Sequence, residues 1–404
     1  MTEKMQQRAE TSLGMFRSLR YRNARIFFIG LLVSNVGTWL QFTATSLLLY
    51  QLTGKATNIG VNVMFQFLPM LLLGAWAGGV ADRRNRRLLT IMTQAGMTIQ
   101  AFALGIMQLT GHVSVGAVYA ASLSLGIISA IDNPARRGLV TELVQSIDIG
   151  NALSLNTAVM TGSRIFGPAL AATLAGPLGI GALFLLNGCS FLAILISLFL
   201  IDPRKLIAPH HASKGGRPVR EAFDFVRSDR SLFITFLVFT IVSTFAFNFS
   251  VVLPKLCDQR WGHPGAFGWL LATTSIGSLI GSLLIARLAT VSIQWFSAGV
   301  ALMGVSCISV AWSPNIFFAF VVAIPLGLGG TSVVASMNAI SQQKSPEDMR
   351  SRLLALVAVG FLGSTPIGGP ITGWIADNVS NEWALGYGGV IALASLPLMR
   401  LVKR

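Results

Sequence analysis

Long apolar stretches, nearly free of charge, recur along the chain from about residue 26 to about residue 399. Each reaches the roughly 18–20 residues that carry an α-helix across about 30 Å of hydrocarbon. Inside a bilayer only helices and closed barrels satisfy every backbone N–H and C=O, and runs of this length read as helices. Composition agrees. The chain is 53% hydrophobic and only 11% charged, with a mean hydropathy of +0.67. Soluble domains carry roughly 25% charged residues. The expected class is an all-α integral membrane protein.

The stretches number twelve and divide the chain in two. A cytoplasmic segment, 1–25, leads into a six-helix bundle at 26–200. A polar linker at 201–230 contains the amphipathic piece VREAFDFVRS, expected to lie as a short helix on the surface. A second six-helix bundle spans 231–399, and 400–404 forms a tail. Span 4 is expected to end near Ile131, leaving Asp132–Gly138 as a polar link, and Gly176–Pro177 to turn span 5 into span 6. Spans 7 and 11 read as single helices.

Charge orients the arrangement. If the two termini and every second connection share one face, that face collects all but Lys55, Arg164, Lys255 and Arg260 of the 30 Lys and Arg. The positive-inside rule makes it cytoplasmic. The formal charge of +15 is thereby topological, and nucleic acid is excluded as a partner.

The halves also repeat. Gly167–Pro168 and Gly369–Pro370 stand half a chain length apart, in spans 5 and 11. Two parallel six-helix copies related by an axis along the membrane normal are a transporter plan. Each proline removes a helix hydrogen bond and permits a bend, and each neighbouring glycine permits close approach.

Few residues carry chemistry. Between spans 2 and 3 the sequence GGVADRRNRR crowds Arg83, Arg84, Arg86 and Arg87 against Asp82. Gly78 and Gly79 are expected to let the end of span 2 approach a neighbour. Asp82, past a helix C-terminus, needs a cation or a helix N-terminus to compensate it. Arg83, Arg86 and Arg87 are expected to meet lipid phosphates or acids of the first half such as Glu142 and Asp148, or simply to anchor the positive side. Arg164 falls near mid-membrane, where lipid exposure costs an arginine at least about 2.5–3.5 kcal/mol, so it is expected to face the interior. Substrate contact, a hydrogen-bond hub and snorkelling remain open for it. Asn35, Thr38, Gln41, Asn62, Gln66, Thr240, Thr244 and Asn248 form polar faces on spans 1, 2 and 7. Phe236, Phe239, Phe245, Phe247 and Phe249 make span 7 aromatic; lipid or packed core is the expected setting, and any that face a cleft would suit an apolar or aromatic substrate. Asp132 is the candidate for proton coupling, its NPARR context also suiting a salt bridge. No GxxxxGK[ST] occurs, so ATP hydrolysis is not expected. The three cysteines, Cys189, Cys257 and Cys307, lack metal-ligand spacing. Neither an enzyme nor a bound cofactor or metal is expected.

Together these features resemble the major facilitator superfamily over nearly the whole chain. Gly78-x-x-x-Asp82-Arg83-x-Asn85-Arg86-Arg87 is similar to the family's loop between helices 2 and 3. Asn85 stands where glycine is usual and, of the other residues, best tolerates a left-handed turn. Gly162-x-x-x-x-Gly167-Pro168 resembles the fifth-helix motif of the family's exporters, with Ala171–Ala172 in place of a glycine pair. LYQLTGKAT, DNPARRGLVTELV and SRIFGPALA are similar to the branch of macrolide efflux pumps and the enterobactin exporter. The resemblance implies a central cleft lined by the polar faces. It also implies that Asp82 pairs across the interface at the start of helix 11, with Arg352 as its cation, latching the outward-open state. The implied protein is a monomeric inner-membrane transporter exporting small amphipathic compounds by proton-driven alternating access, both termini cytoplasmic. Import or facilitated passage of a small organic anion held by Arg164 is the second reading, and a transport-inactive scaffold or sensor the third.

Overall fold

The computed structural model describes residues 16–207, 218–288, 290–346 and 349–402; the side chains of residues 75, 82, 218–220, 351 and 362 lie outside the described set. The first half contains α1 (Arg22–Thr53), α2 (Ala56–Arg83), α3 (Arg86–Leu109), α4 (Val115–Glu142) and α5 (Ile149–Leu200). The linker helix α6 (Pro218–Ser228) leads to α7 (Arg230–Phe245), α8 (Phe249–Gln259), α9 (Ala266–Ala286), α10 (Ile293–Ala311) and α11 (Ile316–Lys344). The chain then forms α12 (Arg350–Leu362), α13 (Thr365–Asn378) and α14 (Asn381–Ser395).

Twelve spans emerge once α5 is divided. It runs for 52 residues, about twice what a bilayer needs, and Gly179 breaks it with φ 76°, ψ 161°. That left-handed φ is open to glycine and costly for other residues, so the reversal falls at Gly179, past the expected Gly176–Pro177. Other boundaries are set by side chains in the sequence. Ser114, Asn85, Asn315 and Ser380 accept N–H bonds from the first turns of α4, α3, α11 and α14. Asn85 has φ −63° and is therefore not left-handed. Its Oδ1 accepts from Leu88 N at 3.0 Å, so asparagine serves here as a helix cap.

Three expected outlines change. Asp132–Gly138 is helical, because α4 continues through Pro134 to Glu142, and Asp132 pairs with Arg136 at 3.1 Å in the i,i+4 relation only a helix provides. Span 7 is two segments, α7 and α8, parted at Ala246–Asn248. Span 11 is also two segments, parted at Gly363–Ser364. The break lies upstream of Pro370, which sits inside α13, and Pro168 lies within unbroken helix.

Polar contacts bind the first half internally. Gln41 Nε2 donates to Gln100 Oε1 at 3.2 Å, while Asn187 Nδ2 donates to Gln41 Oε1 at 2.6 Å, joining α1, α3 and the second arm of α5. Arg86 Nη1 meets Glu142 at 3.0 Å, and Arg87 Nε donates to the Leu198 carbonyl at the end of α5. Asp148 takes Arg17 and Arg20 instead. The linker helix does more than lie on a surface: it buries Ala222 and Val226 in the same apolar core as Leu353 of α12. Asp229 caps α7 through Ser231 N and Leu232 N and bonds Lys344 at 2.9 Å. Partial burial works to raise its pKa, yet the bonds from Lys344, Leu232 and Ser231 hold it below the usual carboxylate range.

Candidate functional site

The two halves meet mainly through α2 against α13 and α5 against α9. Contact is tight at the end of these helices remote from the arginine-rich connections, here called the far face. A Cβ on Gly60 would run into the Gly369 carbonyl, one on Gly373 would meet Ala56 and Thr57, and one on Gly268 would meet Pro168 and Ala172. Asp377 closes this face. Its Oδ1 accepts from Ala56 N (3.0 Å) and Lys255 Nζ (2.7 Å), and its Oδ2 from Thr57 N (2.8 Å) and Thr57 Oγ1 (2.6 Å). A carboxylate of one half therefore caps the N-terminus of a helix of the other, where the helix dipole favours negative charge.

At the basic face the same surfaces part. Gly78 lies five helical turns beyond Gly60 and Gly150 five turns before Pro168, each on the same side of its helix as its counterpart. A Cβ on Gly78, Gly79 or Gly150 would meet nothing within 4 Å among the described residues. The close approach expected at Gly78 and Gly79 is therefore absent in this conformation, because the halves diverge there. Arg352 is paired with Glu221 of the linker helix, a partner other than the expected Asp82. The Asp82 side chain lies outside the described residues, and Arg83 sits in the last turn of α2.

Between the far-face closure and the open end lies a cavity of about 370 Å³. Its walls come from both halves: Trp39, Phe42, Phe67, Arg164 and Pro168 from the first, Phe247, Asn248, Phe249, Thr274, Ser275, Ser278, Thr331, Phe361 and Thr365 from the second. Arg164 is the only charged residue among the described lining. Its Cζ stands 4.9 Å from the Trp39 ring centroid, and among the described residues it has no carboxylate partner. Phe361 and Phe247 meet edge to face, with centroids 5.0 Å apart.

Of the polar residues proposed for the cleft, only Arg164 and Asn248 line this cavity, together with Pro168 of the bend set. Gln41 turns inward to Gln100 and Asn187. Asn35 is buried, its Nδ2 on the Leu31 carbonyl and its Oδ1 accepting from Arg136 at 3.4 Å. Thr38 and Thr244 return their hydroxyls to Ser34 and Thr240, the carbonyls one turn back. Asn62 is buried, and the backbone at Gln66 packs against Gly126 of α4. Gln41, Asn35, Thr38 and Thr244 thus make their hydrogen bonds inside their own half.

Asp132 is also withdrawn from the cavity. Thr93 Oγ1 (2.8 Å) and Gln94 Nε2 (3.0 Å) donate to it, and Arg136 Nε completes the set. Sequence reasoning missed Asp377, taken for a loop residue, and Trp39, an apolar residue whose neighbour Arg164 comes from another helix. It favoured lipid or packed core over the cleft for the phenylalanines of span 7, and of these Phe247 and Phe249 line the cavity. Phe239 is fully buried, and Phe245 packs on Tyr387.

Comparison with known proteins gives one consistent picture. Residues 13–403 match the family described as transmembrane secretion effectors. The chain is 24% identical to the staphyloferrin A transporter of Staphylococcus aureus (strain NCTC 8325 / PS 47) over 366 residues, covering 87% of this chain and 89% of that protein. It is 23% identical to macrolide efflux protein A of Streptococcus pyogenes over 403 residues, covering 95% and 98%. Its backbone resembles the crystal structure of a bacterial homologue of the human lysosomal transporter Spinster, inward-facing and occupied. The TM-score is 0.74 at 14% identity, with 95% and 97% of the two chains covered, a likeness of fold alone.

Proposed function

The chain belongs to the transmembrane secretion effector family of the major facilitator superfamily, and from that premise we propose that it exports small amphipathic compounds by proton-driven alternating access. The observation that carries this reading is the cavity: aromatic and hydroxyl-lined, walled by both halves, closed at the far face and parted at the basic face. Its volume lies within the roughly 300–1,000 Å³ of small-molecule sites. We take the protein as a monomer of an inner membrane, and the charge bias supports a cytoplasmic basic face that carries both termini. In that orientation the conformation is inward-open, ready to load from the cytoplasm or the inner leaflet.

Release outward requires the far face to part and the basic face to close. Gly78 and Asp82 then approach the start of α12, and Arg352 exchanges Glu221 for the Asp82 latch. The Gly363–Ser364 break in span 11 supplies the bend; Gly167 keeps its close contact with α1, while Gly369 separates from Gly60 as the far face parts. Proton coupling is assigned to the Asp132–Arg136 pair, buried at the α3–α4 contact and joined to α1 through Asn35.

Proteoliposomes test the reading. Anionic, neutral and cationic amphipathic fluorophores are offered with and without an imposed pH gradient. Gradient-dependent movement of at least one class is expected, with coupling lost in Asp132→Asn. Movement of none, or movement indifferent to the gradient, sinks proton-driven export.

A further inference from the structure

We infer that the compound carried by this protein is an amphipathic anion, its carboxylate or equivalent acid group held by Arg164 and its apolar body by the aromatic wall; this rests on the transport reading above. An arginine at this depth needs compensation, and its surroundings provide only part of it. Trp39 offers its π face, an electrostatic contact that consumes none of the five guanidinium N–H donors. Among the described residues no carboxylate is paired with Arg164. The acids nearest in kind are engaged elsewhere: Asp132 with Arg136, Glu142 with Arg86, and Asp377 with Lys255.

The rest of the lining sharpens the charge preference. Thr274, Ser275 and Ser278 donate their hydroxyl protons to the carbonyls of Leu270, Leu271 and Thr274, each one turn back. Asn248 likewise donates to Thr244 O at 2.6 Å. Arg164 is thus the wall's concentrated source of uncommitted donors. A guanidinium presents them as a planar fork suited to two acid oxygens. The apolar walls beside the guanidinium lower the local dielectric and so strengthen this pairing, while a cationic amphiphile meets repulsion and no counter-charge. Phe247 and Phe361 across the cavity accept the ligand's apolar part.

Binding to purified full-length protein in neutral detergent separates this from the transport reading. The probes are dansyl-6-aminohexanoic acid, its methyl ester and the matching trimethylammonium compound, followed by fluorescence. The acid is expected to bind at least tenfold more tightly than the ester, and the ammonium compound more weakly than either. Arg164→Gln should erase the difference between acid and ester, and Arg164→Lys should retain part of it. Unliganded melting should stay close to that of the parent protein, since no protein acid loses a partner. Equal binding of acid and ester, binding of none of the probes, or a tenfold preference surviving in Arg164→Gln overturns the inference. Adding phosphatidylglycerol to the micelles tests a lipid headgroup as the source of the anion. If it abolishes the acid's binding at equimolar amounts, the site belongs to lipid and the assignment to substrate fails. An intact acid preference with no vesicle transport sinks the transport reading instead.

Discussion

Asp377, in the last turns of α13, accepts the backbone N–H of Thr57 at 2.8 Å and its hydroxyl at 2.6 Å, across the boundary between the halves. Lys255 of α8 shares the carboxylate. One side chain thus ties a helix start in the first half to two segments of the second. The resemblance to the superfamily implies the converse at the other end of the same helix pair, with Asp82 at the end of α2 reaching the start of α12. The far-face tie is the one made in this conformation.

Removing that tie should favour opening of the far face. Asp377→Ala leaves the first N–H groups of α2 without their acceptor and Lys255 with the Ala376 carbonyl alone, a cost of about 1–3 kcal/mol. The inward-open population should fall by roughly 5–150-fold relative to its competitor. A single cysteine placed at Thr57 or Gly60 and probed with a membrane-impermeant maleimide reads the change. Unaltered labelling in Asp377→Ala would show that the glycine contacts alone hold the face shut.

Gly60 and Gly78 should respond oppositely to the same substitution. Gly60→Val drives a side chain into the Gly369 backbone and should lower the melting temperature or expose the far face. Gly78→Val has open space around it and should leave melting within the equivalent of about 0.5 kcal/mol. It should nevertheless impair transport, because the basic ends could no longer meet. Normal turnover in Gly78→Val would mean that this surface never closes.

The Asp132–Arg136 pair gives a stability prediction separate from coupling. Asp132→Ala leaves a largely buried guanidinium with only the amides of Asn35 and Asn133, at a cost of up to about 3–5 kcal/mol. Replacing both residues by apolar ones of similar size should recover much of the loss. Urea or thermal unfolding of the single and double variants measures it, and a double variant no better than the single one refutes the pairing as the cause.

At Asp229 the sign of the pH dependence follows from its depressed folded-state pKa. The unfolded value is about 3.9, so its stabilisation is fully present above that pH and disappears as pH falls through the lower folded value. The gap in melting temperature between parent and Asp229→Asn should be constant near neutrality and close under acid conditions. A gap that widens on acidification would place the effect elsewhere.

Much of the architecture was legible in the sequence, because a bilayer leaves an apolar run of sufficient length with few structural choices. Breaks within runs were harder to see. Ala246–Asn248 carries neither glycine nor proline. Although Pro366 marks the start of α13 after Gly363–Ser364, Gly167–Pro168 offers a similar signal within unbroken helix; packing against neighbouring helices decides where a helix opens. Arg164 was identifiable because charge at that depth is costly, and one charge in a hydrophobic run needs no partner to be noticed. Gln41 and Asn248 look equivalent as polar residues on helical faces, yet one lies inside a half and the other on the cavity. That distinction depends on rotation of each helix in its bundle, which the periodicity of a nearly uniform apolar helix does not fix. Asp377 was passed over because a carboxylate near a span's end is ordinary until the helix start it caps is brought opposite it.

The breaks in spans 7 and 11 carry one more implication. Phe247 and Asn248 flank one, Phe361 and Thr365 the other, and all four line the cavity. Where a helix is interrupted, its last carbonyls and the next segment's first N–H groups lack intrahelical partners. The main-chain groups left over at these breaks are therefore candidate contacts for a molecule in the cavity, and side-chain truncation leaves them in place. An alanine scan of this wall would underreport it, and exchanging selected peptide bonds for esters is the chemistry that would reveal its contribution.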